Sequence, residues 1–187
     1  MSREKLIQSL KESPIIKKGE YHYVIHPITD GVPEITPDLL HEVTKEMKKR
    51  IESYIPFDKL VTMEAMGIPL ASVLSIDMNI PFTIIRKRAY GLTNEQSVAQ
   101  QTGYSKSTLF INGLKRGDSI VIVDDVLSTG GTLKAVLQTL NKMGVKVKAV
   151  FVAVDKGDMA NRLSKETKIP IESLVHIRVE NGKVEID

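Results

Sequence analysis

Two stretches of the chain, Ser-Ile-Val-Ile-Val at 119–123 and Val-Lys-Ala-Val-Phe-Val-Ala-Val at 147–154, run through β-branched and apolar residues with little polar alternation. Strands of that kind are covered on both faces, which confines them to the interior of a parallel sheet with helices packed against it. Between them, Leu133, Val136, Leu137, Leu140 and Met143 recur at helical spacing, and Gly144 stands where a left-handed residue would close the helix. Upstream, "KLVTME", "PLASVLSI" and "PFTIIRK" continue the alternation of short strands and helical pattern. The expected class is therefore α/β, a central parallel sheet flanked by helices. With 187 residues, 42% of them hydrophobic, and no repeat or Pro/Gly/Ser-rich linker, residues 1–187 read as a single domain.

The composition removes several functional classes. Cysteine is absent, so no disulfide framework, thiolate zinc site or thiol redox role is available. No uncharged stretch approaches the roughly 20 residues that span a bilayer, and the start, "MSREKLIQSLKESP", is charged. A cytoplasmic protein without a membrane partner is expected. The four histidines, His22, His26, His41 and His176, lack ligand spacing, and no Ser-His-Asp arrangement can be argued from sequence. A net charge of +3 is a mild excess that suits small anionic ligands as well as nucleic acid. The densest basic run, Lys45 to Arg50, falls on a helix with apolar positions Leu40, Val43, Met47 and Ile51 and reads as its solvated face.

The chemistry concentrates where the first of these strands ends. After Val123 come two carboxylates, Asp124 and Asp125, then the loop Leu127-Ser128-Thr129-Gly130-Gly131-Thr132, then the helix. Ligands of open α/β sheets bind beyond the carboxyl ends of the strands. Backbone N–H groups at a helix start, hydroxyls of Ser128, Thr129 and Thr132, and glycines that admit close approach together make a phosphate cradle. It lacks the Gly-Lys-Ser/Thr of a Walker loop and the Gly-x-Gly-x-x-Gly of a dinucleotide turn. Carboxylates disfavour phosphate but accept hydrogen bonds from vicinal sugar hydroxyls, so the pattern calls for a ribose 5-phosphate.

"VIVDDVLSTGGT" resembles the phosphoribosyl-diphosphate-binding motif of the type I phosphoribosyltransferases. The resemblance extends from about Asp30 to Asn181 and is strongest to the adenine and xanthine branch, especially the archaeal hypoxanthine/guanine phosphoribosyltransferases. It implies that Asp124 and Asp125 hold the ribose hydroxyls, that Leu127 to Thr132 bind the 5-phosphate, and that Glu64, Ala65, Met66 and Gly67 form a pyrophosphate turn with a non-proline cis peptide. Arg86 and Lys87 match basic residues set against pyrophosphate. Magnesium is implied as a cofactor carried mainly by phosphoribosyl diphosphate, with no direct protein ligand and with water-mediated help from Asp124 or Asp125. A small hood from about residues 20–36 and 155–187 and a homodimer are implied too. The polar segment Lys87 to Ser107 has no period and is expected to be a mobile lid, since a loop of that length in a compact domain is usually functional.

Lys156 resembles a lysine that faces the oxygen at purine C6; an ammonium offers donors only, which favours hypoxanthine or guanine over adenine. The base site is expected from "FVAVDKGDM" together with "TDGVPEITP". One departure matters: bacterial and animal hypoxanthine/guanine enzymes carry an acid where this chain has Ser128, and the lid offers only Glu95, so the proton acceptor is unassigned. The expected activity is transfer of ribosyl 5-phosphate to hypoxanthine or guanine. The alternatives are an adenine or xanthine transferase and a phosphoribosyl-diphosphate-sensing regulator. The regulator is disfavoured because only one short helix, "EKLIQSLKE", precedes the enzyme-like region.

Overall fold

The computed structural model describes residues 3–19, 21–99 and 108–187. In chain order its elements are α1 (Glu4–Lys11), β1 (Ile15–Lys18), β2 (Tyr21–Val24), α2 (Pro27–Asp30), α3 (Pro37–Ile51), β3 (Lys59–Met63), α4 (Gly67–Met78), β4 (Phe82–Ile85), β5 (Gln96–Ala99), β6 (Thr108–Ile111), β7 (Ser119–Leu127), α5 (Gly131–Met143), β8 (Lys146–Lys156), α6 (Met159–Thr167), β9 (Ile171–Glu180) and β10 (Lys183–Ile186). Six strands form the central sheet in the order β10-β9-β8-β7-β3-β4, parallel except for the β9–β10 hairpin at one edge.

The uninterrupted apolar runs do what their lack of alternation demands. Val121 and Val123 point to one face and share a core with Leu70 and Leu74 of α4, which packs on β7, Val43, Met47 and Ile51 of α3, which packs on β8 and β9, and Leu6 and Leu10 of α1, which packs on β10 and α3. Ile120 and Ile122 point to the other, against Leu133, Val136, Leu137 and Leu140 of α5 and Leu163 of α6. All four strand residues are fully buried. At about 25 cal/mol per Å² of apolar surface, two-sided coverage roughly doubles what such a strand gains over one with a wet face.

Helix ends follow local chemistry. Thr36 caps α3 by accepting from Leu39 N–H, with Pro37 at the first helical position. Gly144 closes α5 in the left-handed region, as its position in the sequence requires. The basic run on α3 is not wholly solvated: the Arg50 guanidinium donates to Ser173 O at 2.8 Å, tying the helix to β9.

The segment expected to be one long lid is more structured than its composition indicates. Gln96–Ala99 pairs antiparallel with Thr108–Ile111, and Val98, Leu109 and Ile111 are buried in the core on the α5 side. A four-residue strand whose described side chains include one buried apolar residue, Val98, presents no period to read, so only its partner strand reveals it. The remainder of that segment, residues 100–107, lies outside the described residues.

Candidate active site

β7, an interior strand between β8 and β3, carries the two acids toward its carboxyl end. Asp124 and Asp125 are 7% and 8% exposed, far more buried than acids usually are. Burial, and then the charge of Asp125, pushes the Asp124 carboxyl well above the usual carboxylate range. Burial likewise raises Asp125 to about 6, and the charge of Asp30 adds to the rise. Two neighbouring carboxylates in a poorly solvated site cannot both ionise freely, so the pair holds a proton that a bound ligand with hydroxyl donors would allow it to release.

Past β7 the chain turns through Ser128, Thr129 and Gly130 into α5. Gly130 has φ 75°, and a Cβ there would come 2.7 Å from Leu163 Cδ1 and 2.9 Å from Met159 Cγ, so the tight turn requires glycine on both counts. A cavity of about 340 Å³ opens at this turn, lined by Asp124, Asp125, Leu127, Ser128, Thr129, Gly130 and Thr132, and on its far wall by Glu64, Lys87 and Leu109. That volume is in the range of small-molecule sites. The structure thus brings the acid pair and the Thr-Gly loop together around one space, next to the positive end of α5.

The turn from β3 into α4 forms another part of the wall. The Glu64–Ala65 peptide is cis. Gly67 lies directly against the buried Thr62 and Asp124. Met66 reaches toward Gly31, the residue that closes α2. The Glu64 carboxylate accepts from Arg86 Nε at 2.6 Å and from the Lys87 N–H at 3.1 Å, and these donors hold its pKa below the ordinary value, the Lys87 N–H contributing most. Arg86 also exchanges backbone hydrogen bonds with Phe110 at 3.0 and 2.7 Å, so Glu64 ties the turn to the root of the β5–β6 hairpin. Lys87 lines the cavity, whereas the Arg86 side chain is engaged by Glu64.

Lys156, at the end of β8, lines a second and wider cavity of about 640 Å³, together with His22, Val24, Met159, Ile177 and Val179. Ser128 and Thr129 belong to both cavities, so the two meet at the loop. The expectation from sequence differs in one wall: β2 supplies His22 and Val24, whereas Pro33 and Glu34 of the "TDGVPEITP" segment line a separate cleft beside Lys5, Ser9 and Asp38. The cause is the β1–β2 hairpin, whose pairing of Ile15 with Val24 delivers β2 to this side and whose four-residue strands are too short to show their facing in sequence.

A hydrogen-bonded chain that sequence spacing concealed lies below Lys156. The parallel pairing of β8 and β9 sets Asp155 opposite His176. His176 Nδ1 is 3.1 Å from Asp155 Oδ2, and His176 Nε2 is 3.0 Å from Ser173 Oγ. Asp155 is fully buried, which raises its pKa, and the same oxygen accepts the Ala160 N–H at 3.0 Å. This chain anchors the turn that follows Lys156 to both β9 and the start of α6.

Among the described residues, no three His, Asp or Glu side chains converge in a metal-binding cluster. The donors around the first cavity are carboxylate and hydroxyl oxygens, which suit a hard cation that brings phosphate and water ligands of its own. No helix among the described residues is long and apolar enough to cross a membrane.

Comparison with known proteins agrees with this geometry. The family model for the phosphoribosyl transferase domain matches residues 34–181. The hypoxanthine/guanine phosphoribosyltransferase of Methanobacterium lacus is 52% identical over 184 residues, 98% of this chain and 96% of that protein. The protein of the same name from Ferroglobus placidus is 50% identical over 182 residues, 97% of this chain and 96% of its own. Among solved structures, adenine phosphoribosyltransferase from Thermoanaerobacter pseudethanolicus superposes with a TM-score of 0.72 at 22% identity, covering 91% of this chain and 99% of that one. At that identity the likeness speaks for the fold.

Proposed function

The chain belongs to the phosphoribosyl transferase domain family, and from that premise we propose that it is a purine-salvage enzyme. It would transfer ribosyl 5-phosphate from phosphoribosyl diphosphate to hypoxanthine or guanine, releasing pyrophosphate. The observation that carries this reading is the pair of cavities joined at Ser128 and Thr129, one polar and acid-bearing, the other more apolar with Lys156 on its wall. Together they suit a ligand with a phosphorylated sugar at one end and a flat, 6-oxo heterocycle at the other. The names of the two archaeal relatives support the same base.

In this reading the Ser128–Thr132 amides and hydroxyls, with Leu127 leading into them, take the 5-phosphate, and Asp124 and Asp125 accept from the ribose hydroxyls. The Ala65, Met66 and Gly67 backbone and Lys87 take the pyrophosphate, with Arg86 brought to it by Glu64. Lys156 donates to the oxygen at C6 of the base, and a 6-amino group would leave that donor unmatched. Bond breaking at the anomeric carbon builds positive charge there and negative charge on pyrophosphate, so the cations at 86 and 87 stabilise the departing group and no protein nucleophile is needed. Magnesium, bound mainly by the substrate's phosphates, would supply charge neutralisation of the leaving group, with Asp124 and Asp125 positioned to hold its water. The polar segment 87–107, including the β5–β6 hairpin root, would close over the site and exclude water. The hood of residues 20–36 and 155–187, a homodimer, a cytoplasmic location and the absence of nucleic-acid and membrane partners complete the reading.

The experiment is pyrophosphate release from phosphoribosyl diphosphate and magnesium with hypoxanthine, guanine, adenine, xanthine and no base in parallel. Turnover with hypoxanthine or guanine is the expected result. Turnover with adenine alone would overturn the base assignment, and tight binding without turnover would move the reading to a sensor.

A further inference from the structure

Among the described residues, three buried side-chain oxygens have no hydrogen-bond partner: Thr62 Oγ1, Ser119 Oγ and Asp155 Oδ1. Leaving a buried polar group unpaired costs stability, so each calls for a reason. Asp155 has one, since its other oxygen is spent on Ala160 and His176. Ser119 opens β7, at the far end of that strand from the acid pair. Thr62 differs from both. It is fully buried near the carboxyl end of β3, where the strand leads into the 64–67 turn that walls the site.

The register between β3 and β7 runs from Lys59–Ile120 to Val61–Ile122. Thr62 and Asp124 follow just past that ladder, and Gly67, the first residue of α4, packs against both of them. The position a Cβ would take on Gly67 lies 2.0 Å from Thr62 Oγ1 and 2.5 Å from Asp124 Oδ1. One oxygen from each strand therefore borders the same small space, and the lack of a side chain on Gly67 keeps it clear. Asp124 is itself buried, and beside its carboxyl group the Thr62 hydroxyl is a donor with nothing to donate to.

A valine at 62 would have nearly the same shape and the same strand preference without a polar atom to bury. The hydroxyl is thus the informative part of the residue. An acid that receives sugar hydroxyls must be held in one orientation, and a protein donor achieves this in a site with little water.

We infer that Thr62 is a positioning residue for the sugar site: with phosphoribosyl diphosphate bound, its hydroxyl donates to the Asp124 carboxylate and fixes the orientation in which that acid accepts from the ribose. The inference rests on the phosphoribosyl-transfer reading.

The test sets Thr62→Val and Thr62→Ser beside wild type. It measures phosphoribosyl diphosphate binding with magnesium by calorimetric titration, KM for both substrates with hypoxanthine as the base, and Tm without substrate. Valine keeps the shape and loses the donor; serine keeps the donor. Thr62→Val is expected to weaken phosphoribosyl diphosphate binding and raise its KM by about 10- to 100-fold, the effect of one hydrogen bond to a charged group. The KM for hypoxanthine should stay within about threefold, and the Tm should equal or exceed that of wild type, because the unpaired hydroxyl is gone. Thr62→Ser should bind phosphoribosyl diphosphate within about threefold of wild type. A merely structural threonine would lose affinity and Tm together, so a Thr62→Val protein that is less stable than wild type, or that does not fold, would overturn the inference. Unchanged affinity in Thr62→Val would overturn it as well, and so would a serine variant that binds as weakly as the valine one. Wild type that fails to bind phosphoribosyl diphosphate would instead sink the transfer reading itself, and this inference with it.

Discussion

Gly67 offers the sharpest test of how the site is assembled. A Cβ built on it would lie 2.0 Å from Thr62 Oγ1, 2.5 Å from Asp124 Oδ1 and 3.3 Å from the Asp124 Cα. Its backbone lies outside the left-handed region, so the penalty of Gly67→Ala is one of space and not of conformation. Two of these contacts are far inside van der Waals distance, and neither neighbour can yield easily: Thr62 is fully buried on β3, and Asp124 is buried on the adjoining β7. Overpacking of this kind costs about 1–3 kcal/mol. For a domain of this size that corresponds to a Tm lower by roughly 2–12 °C, read by calorimetry. The larger effect should be on turnover, because relieving the clash displaces Asp124 by an ångström or so, and such misplacement costs on the order of 10²-fold in kcat/KM. Gly67→Ala with unchanged Tm and kcat/KM would refute the claim that the 64–67 turn and the acid pair are packed as one unit.

Three further substitutions probe other parts of the site. Lys156→Ala should lower kcat/KM for hypoxanthine and guanine by about 10- to 100-fold, the value of a hydrogen bond from a charged donor, and equal activity after the change would remove the reason for preferring 6-oxopurines. Asp125→Asn should stabilise the unliganded protein. The folded carboxyl titrates near 6, above its unfolded value, so keeping it ionised is a penalty that grows as pH rises from about 4 to 6 and stays constant above. Scanning calorimetry should therefore show the variant's Tm raised at pH 7 and equal to wild type at about pH 4, with weakened binding of phosphoribosyl diphosphate. A Tm difference independent of pH would contradict this. Asp155→Ala strands the Ala160 N–H and frees His176, which should cost about 1–3 kcal/mol in denaturant unfolding and weaken purine binding through the loosened turn after Lys156; unaltered stability would mean the buried chain adds nothing to the fold.

How much of the fold and the site is legible in the sequence depends on the range over which the determining interactions act. The Thr-Gly loop is a local device: strand end, acids, hydroxyls, glycines and helix start follow one another between Ser119 and Thr132, and that stretch lines one side of the cavity. The same holds for the two-faced strands, where the run Ile120 to Val123 declares burial on both sides. Elements stabilised by partners far away in sequence leave no such mark. Val98 is the lone buried apolar side chain described in β5, and the strand exists because β6 pairs with it.

Residue identity alone determined the α/β class, the acid pair at the end of β7 and the glycine-bearing turn, because hydrophobic period, side-chain chemistry and backbone freedom act within a few residues of one another. Tertiary structure alone decided the rest. It set Glu64 upon Arg86, aligned Asp155 with His176 and Ser173, and brought β2 to the side of Lys156. Each of these joins segments whose separation in the chain carries no periodic or compositional trace; strand register and hairpin placement bring them within reach, and those are settled by the summed burial of the whole sheet.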